Sequence, residues 1–163
     1  MKLLDNSCIS FFIVEIPDYD FLIELHEINE SLNITGHVKN EFEKTGYLEK
    51  LDEYLDNGII KLEHIDYNPL LKKRYPFLGD GELSIIQWGL NLKESGSYYC
   101  IIDDLHARKV AEKLNLSVSG SIGLIILLKN KNNYYSDKID EIIEAIDNSP
   151  FRISKNILNK LRE

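Results

Sequence analysis

No apolar run in this sequence approaches the roughly 20 residues that a membrane span requires; the longest, 122–128, stops well short. Asp5 and Asn6 interrupt the first apolar stretch, so no secretory leader, no membrane partner and a cytoplasmic location are expected. Cysteine is scarce. Cys8 and Cys100 each sit beside apolar residues without metal-ligand spacing, which points to buried free thiols in a reducing compartment, not to a disulfide framework. The four histidines, His26, His37, His64 and His106, show no ligand spacing either, so a zinc centre is excluded on composition. Positive charge is in deficit, with 19 basic against 27 acidic residues and a net charge of -8. Such a surface has no global attraction for nucleic acid, and any polyanionic partner must be met by local basic groups.

What is present is an alternation of short apolar runs with amphipathic segments, spread over 163 residues without internal repeat or linker, as expected of a single domain spanning 1–163. Abundant Lys, Asn and Ile match the usage of an AT-rich prokaryotic genome. Strands are expected at 1–4, 59–65, 98–102 and 116–118. Helical spacing covers 8–14, 19–29, 47–55, 83–92, 106–114 and 121–128, with another helix started at Thr35-Gly36 and two late ones at 137–146 and 154–161. The segment 130–135 reads as a polar loop. This pattern predicts an α/β fold: a three-layer sandwich with a short central, mostly parallel sheet flanked by helices.

In an open parallel sheet, ligands gather at the carboxyl ends of the strands. Two expected strands end there in acid, the first at Asp5 and the 98–102 strand at Asp103-Asp104. Carboxylates at neighbouring strand ends suit a hard divalent cation such as Mg²⁺ or Mn²⁺. Each acid also has a plainer role: Asp5 and Asp104 as helix N-caps, Glu82 as a charge at a helix N-terminus, and Glu41 as one helical acid among many. Asp5-Asn6-Ser7 lacks the second aspartate of the Asp-x-Asp nucleophile motif, which argues against a small phosphatase.

Five motifs occur in a recognisable order. They are Leu3-Leu4-Asp5-Asn6-Ser7, Val38-x-x-Glu41-Phe42, the run Leu78-Gly79-Asp80-Gly81-Glu82-Leu83-Ser84-Ile85-Ile86, the run Ile102-Asp103-Asp104-Leu105-His106-Ala107-Arg108, and Val118-Ser119-Gly120-Ser121-Ile122-Gly123. With the tail Phe151-Arg152-Ile153-Ser154, they resemble the PIN-domain superfamily of ribonucleases, in a prokaryotic toxin-like subgroup, nearly end to end. The resemblance implies a metal-dependent endoribonuclease leaving a 5′-phosphate and a 3′-hydroxyl. It implies catalytic acids at Asp5, Glu41, Glu82 and Asp104, and metal ligands at Asp5, Glu82, Asp103 and Asp104. Whether Asp103 or Asp104 matches the last family acid stays open, because Ala107 stands where related sequences often have Phe.

Ser7 is expected either to hydrogen-bond an acid or metal-bound water or to cap the first helix. Lys72, Lys73, Arg74 and Arg108 are the candidates for guiding RNA to an acidic pocket. The resemblance also implies Mg²⁺ or Mn²⁺ as cofactor and RNA as substrate. It makes a small antitoxin protein a plausible partner, as in a type II toxin–antitoxin pair. The two late helices are suited either to a homodimer contact or to covering the sheet. The alternative reading is a PIN-like domain that binds RNA or protein without cutting.

Overall fold

Lys2–Leu4 forms β1, the central strand of a five-stranded sheet, in the computed structural model of the chain. The structure describes residues 1–163, the side chain of Tyr134 excepted. The other strands are β2 (Leu32–Thr35), β3 (Ile60–Glu63), β4 (Tyr99–Ile101) and β5 (Val118–Ser119), in the order β3-β2-β1-β4-β5. All four pairings are parallel, as expected for strands joined through helices. Register places Leu4 beside Ile101 and Leu3 beside Asn33, so the chain leaves β1, β2 and β4 on one edge of the sheet.

The helices are α1 (Asn6–Ser10), α2 (Phe21–Glu27), α3 (Gly36–Glu43), α4 (Leu48–Asp56), α5 (Pro69–Arg74) and α6 (Asp80–Leu92). After them come α7 (Leu105–Lys113), α8 (Ser121–Lys131), α9 (Asn133–Asp137), α10 (Ile139–Asp147) and α11 (Lys155–Asn159). A π-helical turn, Phe11–Glu15, extends α1. Helices flank the sheet, and α6 is buried along most of its length, including Leu83, Ile85, Ile86 and Trp88. A strand such as β1, walled in on both sides, reads as a continuous apolar run, which is why Leu3-Leu4 is recognisable in the sequence.

One strand is missed by the sequence pattern and one expectation is corrected. β2 is not anticipated by the sequence pattern, because Leu32 and Ile34 stand among the polar Asn29, Glu30, Ser31 and Asn33. Asn33 is nonetheless buried, and its amide nitrogen donates to Ser31 O and Ser31 Oγ, both at 3.0 Å, and to Lys2 O at 3.3 Å. A buried amide with these partners carries little desolvation penalty. The segment 130–135 is no loop: α8 runs on to Lys131 and α9 starts at Asn133. The driving force is Tyr135, which is 1% exposed and stacks on Phe21 with ring centroids 5.3 Å apart. The late helices α10 and α11 send Ile142, Ile143, Ile146 and Leu158 into the same core as the sheet. Among the described residues, no helix is long and apolar enough to cross a membrane.

Candidate metal centre

The carboxyl edge of the sheet gathers acids from four elements. Asp5 follows β1 and occupies the N-cap position of α1, yet its side chain makes no capping hydrogen bond. It is 2% exposed. Ser7, in the first turn of α1, donates its hydroxyl to Asp5 Oδ2 at 3.0 Å. The other oxygen, Asp5 Oδ1, is buried without a hydrogen-bond partner. Burial, then the charge of Glu82, push the Asp5 carboxyl up to about 7. The Asn6 N–H and the Ser7 hydroxyl pull the other way, and Glu41 adds a further small push upward.

Glu41 and Glu82 meet around the glycines that open α6. Glu41, on α3, accepts the Gly81 N–H at 2.8 Å. Glu82 reaches back to accept the Gly79 N–H at 2.9 Å. A Cβ built on Gly79 would lie 3.0 Å from Glu41 Oε1 and 3.8 Å from Glu82 Oε2, so the two carboxylates flank one α-carbon. A Cβ on Gly81 would come within 2.5 Å of Glu41 Oε2. Both acids thus sit on the positive end of α6, where exposed N–H groups favour negative charge. Even so, burial raises the Glu82 carboxyl above its ordinary range, and the charges of Asp104 and Glu41 add to that.

The adjacent aspartates after β4 have different surroundings. Asp104 is exposed and caps α7, with Oδ1 accepting the N–H groups of His106 and Ala107, both at 2.9 Å. Its charge reaches Glu82. Asp103 turns toward β5 and α8: Oδ1 accepts the Ser121 N–H at 2.9 Å and Oδ2 accepts the Ser121 hydroxyl at 2.5 Å. Burial raises its carboxyl, while Ser121 and Arg108 lower it. Cys8, a buried free thiol as expected, lies in the fields of Asp103 and Asp5 and is held well above its ordinary range, chiefly by burial.

Among the described residues, no three His, Cys, Asp or Glu side chains stand as a ready-made ion cage. Glu41, Glu82, Asp103 and Asp104 each turn an oxygen to a backbone N–H. Asp5 is the exception, with one buried oxygen unsatisfied. An orphaned carboxylate oxygen with a raised pKa, in the field of two further acids, fits a hard divalent cation, and an all-oxygen donor set belongs to the Mg²⁺ and Mn²⁺ class.

Two polar groups of the neighbourhood are not singled out by the sequence. Asn6 Oδ1 and Glu15 Oε2 are buried without a hydrogen-bond partner. Glu15 ends the π-helical turn, and its carboxyl is raised by burial and by Asp103. The available signal is one carboxylate closing an otherwise apolar stretch. The basic candidates divide. Lys72 donates to Leu78 O at 2.7 Å and lies 3.6 Å from Asp80. Arg108 donates through Nε and Nη2 to Ile102 O at 3.1 and 2.7 Å, holding the end of β4. Lys73 is exposed, and the exposed Arg74 guanidinium lies 5.5 Å from the centre of the Tyr75 ring.

A family model described as DUF3368, PIN domain, matches residues 8–163. Neither the curated proteins nor the solved structures contain a match. The family match begins at Cys8, so the placement of Asp5 and Ser7 in the acid cluster comes from the folded chain itself.

Proposed function

Because this chain belongs to the PIN-domain family, whose members are generally nucleases, we propose that it is a metal-dependent endoribonuclease with Asp5, Glu41, Glu82 and Asp104 around a Mg²⁺ or Mn²⁺ ion. Asp103 is the alternative to Asp104. The observation that carries this reading is Asp5: a carboxylate at the centre of the sheet, fully buried, with one oxygen unpartnered and Glu82 and Glu41 in its field.

A divalent cation held here supplies Lewis acidity toward water and toward the phosphodiester. The remaining work falls to the chain. Burial, then the charges of Glu82 and Glu41, raise the Asp5 carboxyl to about 7, so a positive charge beside it would favour its ionised form. Ser7 fixes Asp5 Oδ2 and leaves Oδ1 as the open donor. The first turn of α6 holds Glu41 and Glu82 side by side on fixed backbone N–H groups, so their positions are set before substrate arrives. Asp104 is exposed, so a phosphate and its water can reach it.

The test is cleavage of a structured RNA in Mn²⁺ buffer by the wild type, Asp5→Asn and Asp104→Asn. Loss of cleavage in both variants, with unchanged folding, is the expected outcome. Unchanged cleavage in both would remove the site. Family resemblance further supports a toxin role with a small antitoxin partner: induced expression should arrest growth of a bacterial host, and Asp5→Asn should relieve the arrest. A second reading is binding of RNA or protein without cutting. Absence of any Mn²⁺-dependent rise in melting temperature would select it.

A further inference from the structure

Beyond the acid cluster, at the β5 edge, lies a cavity of about 540 Å³ that shares Asp103 with it. Ile122 and Ile126 of α8 and Phe151 and Ile153 of the tail give it an apolar interior. Its charged lining is Arg108, Arg152 and Lys160 against one acid, Asp103. In a chain of net charge -8 this is a local reversal of sign. The acid is moreover engaged already, since both Asp103 oxygens accept from Ser121. Arg152 and Lys160 are exposed, and among the described residues neither has a side-chain hydrogen bond or ion pair.

The wall that carries these cations is held in place. Phe151 packs on Phe11 with ring centroids 4.3 Å apart, and its N–H donates to Ser149 Oγ at 3.2 Å. Ser154 then caps α11. The cavity falls within the range of roughly 300–1,000 Å³ seen for small-molecule pockets, which commonly pair an apolar interior with a few polar groups. One nucleotide has the matching halves, a flat ring and an anionic phosphate.

We propose that this cavity is a nucleotide subsite for single-stranded RNA, with one base against Ile122, Ile126 and Phe151 and the adjoining phosphate on Arg152 and Lys160. Asp103 on its inner edge joins it to the acid cluster, so the bound nucleotide fixes which phosphodiester reaches the acids. An acidic peptide would satisfy the two cations but leave the apolar interior unfilled. The link to cleavage rests on the nuclease reading; the binding itself does not.

The experiment uses the full chain and a short fluorescein-labelled single-stranded RNA, read by anisotropy in EDTA at low salt. Arg152→Glu combined with Lys160→Glu should weaken binding at least tenfold. Ile126→Trp, which fills the cavity without changing charge, should weaken it at least fivefold. Lys44→Glu with Lys113→Glu, an equal charge change elsewhere, should stay within twofold of wild type, and all variants should melt as wild type does. Cavity variants that bind as the control does would overturn the proposal, as would displacement of the RNA by polyglutamate at equal charge concentration. Wild type that binds through the cavity yet cuts nothing with Mn²⁺ would sink the nuclease reading and leave the subsite standing. Wild type that cuts, with cavity variants that bind and cut normally, would sink the subsite alone.

Discussion

The Glu41 carboxylate lies where a side chain on Gly81 would be, accepting the Gly81 N–H at 2.8 Å with Oε2 2.5 Å from the position of an ideal Cβ. Glu41 comes from α3 and Gly81 from α6, so this contact ties the second acid of the cluster to the helix that carries the third. Gly81→Ala is therefore expected to act on function more than on folding. The clashing atoms are the far end of a flexible side chain, so Glu41 can swing aside by giving up its bond to the Gly81 N–H. The lost hydrogen bond costs on the order of 1–2 kcal/mol. Alanine in a helix returns roughly 0.5–1 kcal/mol of that. Melting should move by only a few degrees, while Mn²⁺-dependent cleavage falls roughly 10–100-fold, the range for displaced groups around a metal. Full activity in Gly81→Ala would show that Glu41 is not needed beside Glu82.

Asp5 predicts a pH-dependent penalty. Its folded carboxyl holds a proton up to about pH 7, against an ordinary value of 3.8. Between those limits the native state binds more protons than the unfolded state, so this group makes the metal-free protein less stable as pH rises through the window. The penalty is complete above pH 7 and amounts to roughly 4 kcal/mol, since each tenfold change in proton affinity is worth about 1.4 kcal/mol. Asp5→Asn removes the charge and keeps the shape. The metal-free variant should be more stable than wild type at pH 8, and the gap should close toward pH 4.5. Comparing the two proteins at each pH cancels the other titrating groups. A gap that is constant with pH would mean that the Asp5 charge is not what strains the fold. Saturating Mn²⁺ should reverse the order, because the cation stabilises only the protein that keeps the carboxylate.

The neighbouring aspartates separate by substitution. Asp104 caps α7 through one oxygen, a role that asparagine also fills. Asp104→Asn should leave stability within about 0.5 kcal/mol, and Asp104→Ala should cost about 1 kcal/mol. If Asp104 is also a metal-site acid, both variants lose cleavage, and the asparagine loses it without losing the cap. Asp103→Asn has the opposite signature. It replaces the acceptor of the Ser121 hydroxyl with an amide, so thermal stability should drop by the equivalent of about 1–3 kcal/mol. Cleavage that survives Asp104→Asn but not Asp103→Asn would exchange the two assignments.

Much of the frame of this site is legible in the sequence, and the residues show why the rest is not. Leu3-Leu4 before Asp5, and Cys100-Ile101-Ile102 before Asp103, announce buried strands ending in acid because a strand covered on both faces is apolar throughout. β2 escapes because Asn33 is satisfied by Ser31 and Lys2, partners that a hydropathy pattern does not display. The helix 133–137 escapes because its reason is one distant ring, Phe21, under Tyr135. Within the site, the sequence marks Asp5 and Asp103-Asp104 by strand-end position, and Glu41 and Glu82 by motif resemblance alone. It does not assign backbone donors: that Gly81 serves Glu41, that Ser121 serves Asp103, and that His106 and Ala107 serve Asp104 are facts of tertiary placement. Glycine spacing at 79 and 81 holds the clue, since space without a side chain is what lets another carboxylate in.

The same first turn of α6 depends on a buried chain of hydroxyls. Ser84 Oγ donates to Gly81 O at 2.7 Å and lies 2.6 Å from Thr35 Oγ1, which accepts the Val38 N–H at 3.1 Å as the N-cap of α3. Ser84 has one proton, and it goes to Gly81 O, so Thr35 is the donor to Ser84. Both residues are fully buried, so a hydroxyl deprived of its partner has no water to turn to. Ser84→Ala should therefore cost about 1–3 kcal/mol by stranding the Thr35 proton. Thr35→Val should cost a similar amount, through the lost cap and the stranded Ser84 acceptor. The double variant strands less than the two single losses combined, so chemical denaturation should give a coupling of roughly 1 kcal/mol or more in a double-mutant cycle. Additive losses would show that the two hydroxyls act separately and that α3 and α6 are held together at this end by packing alone.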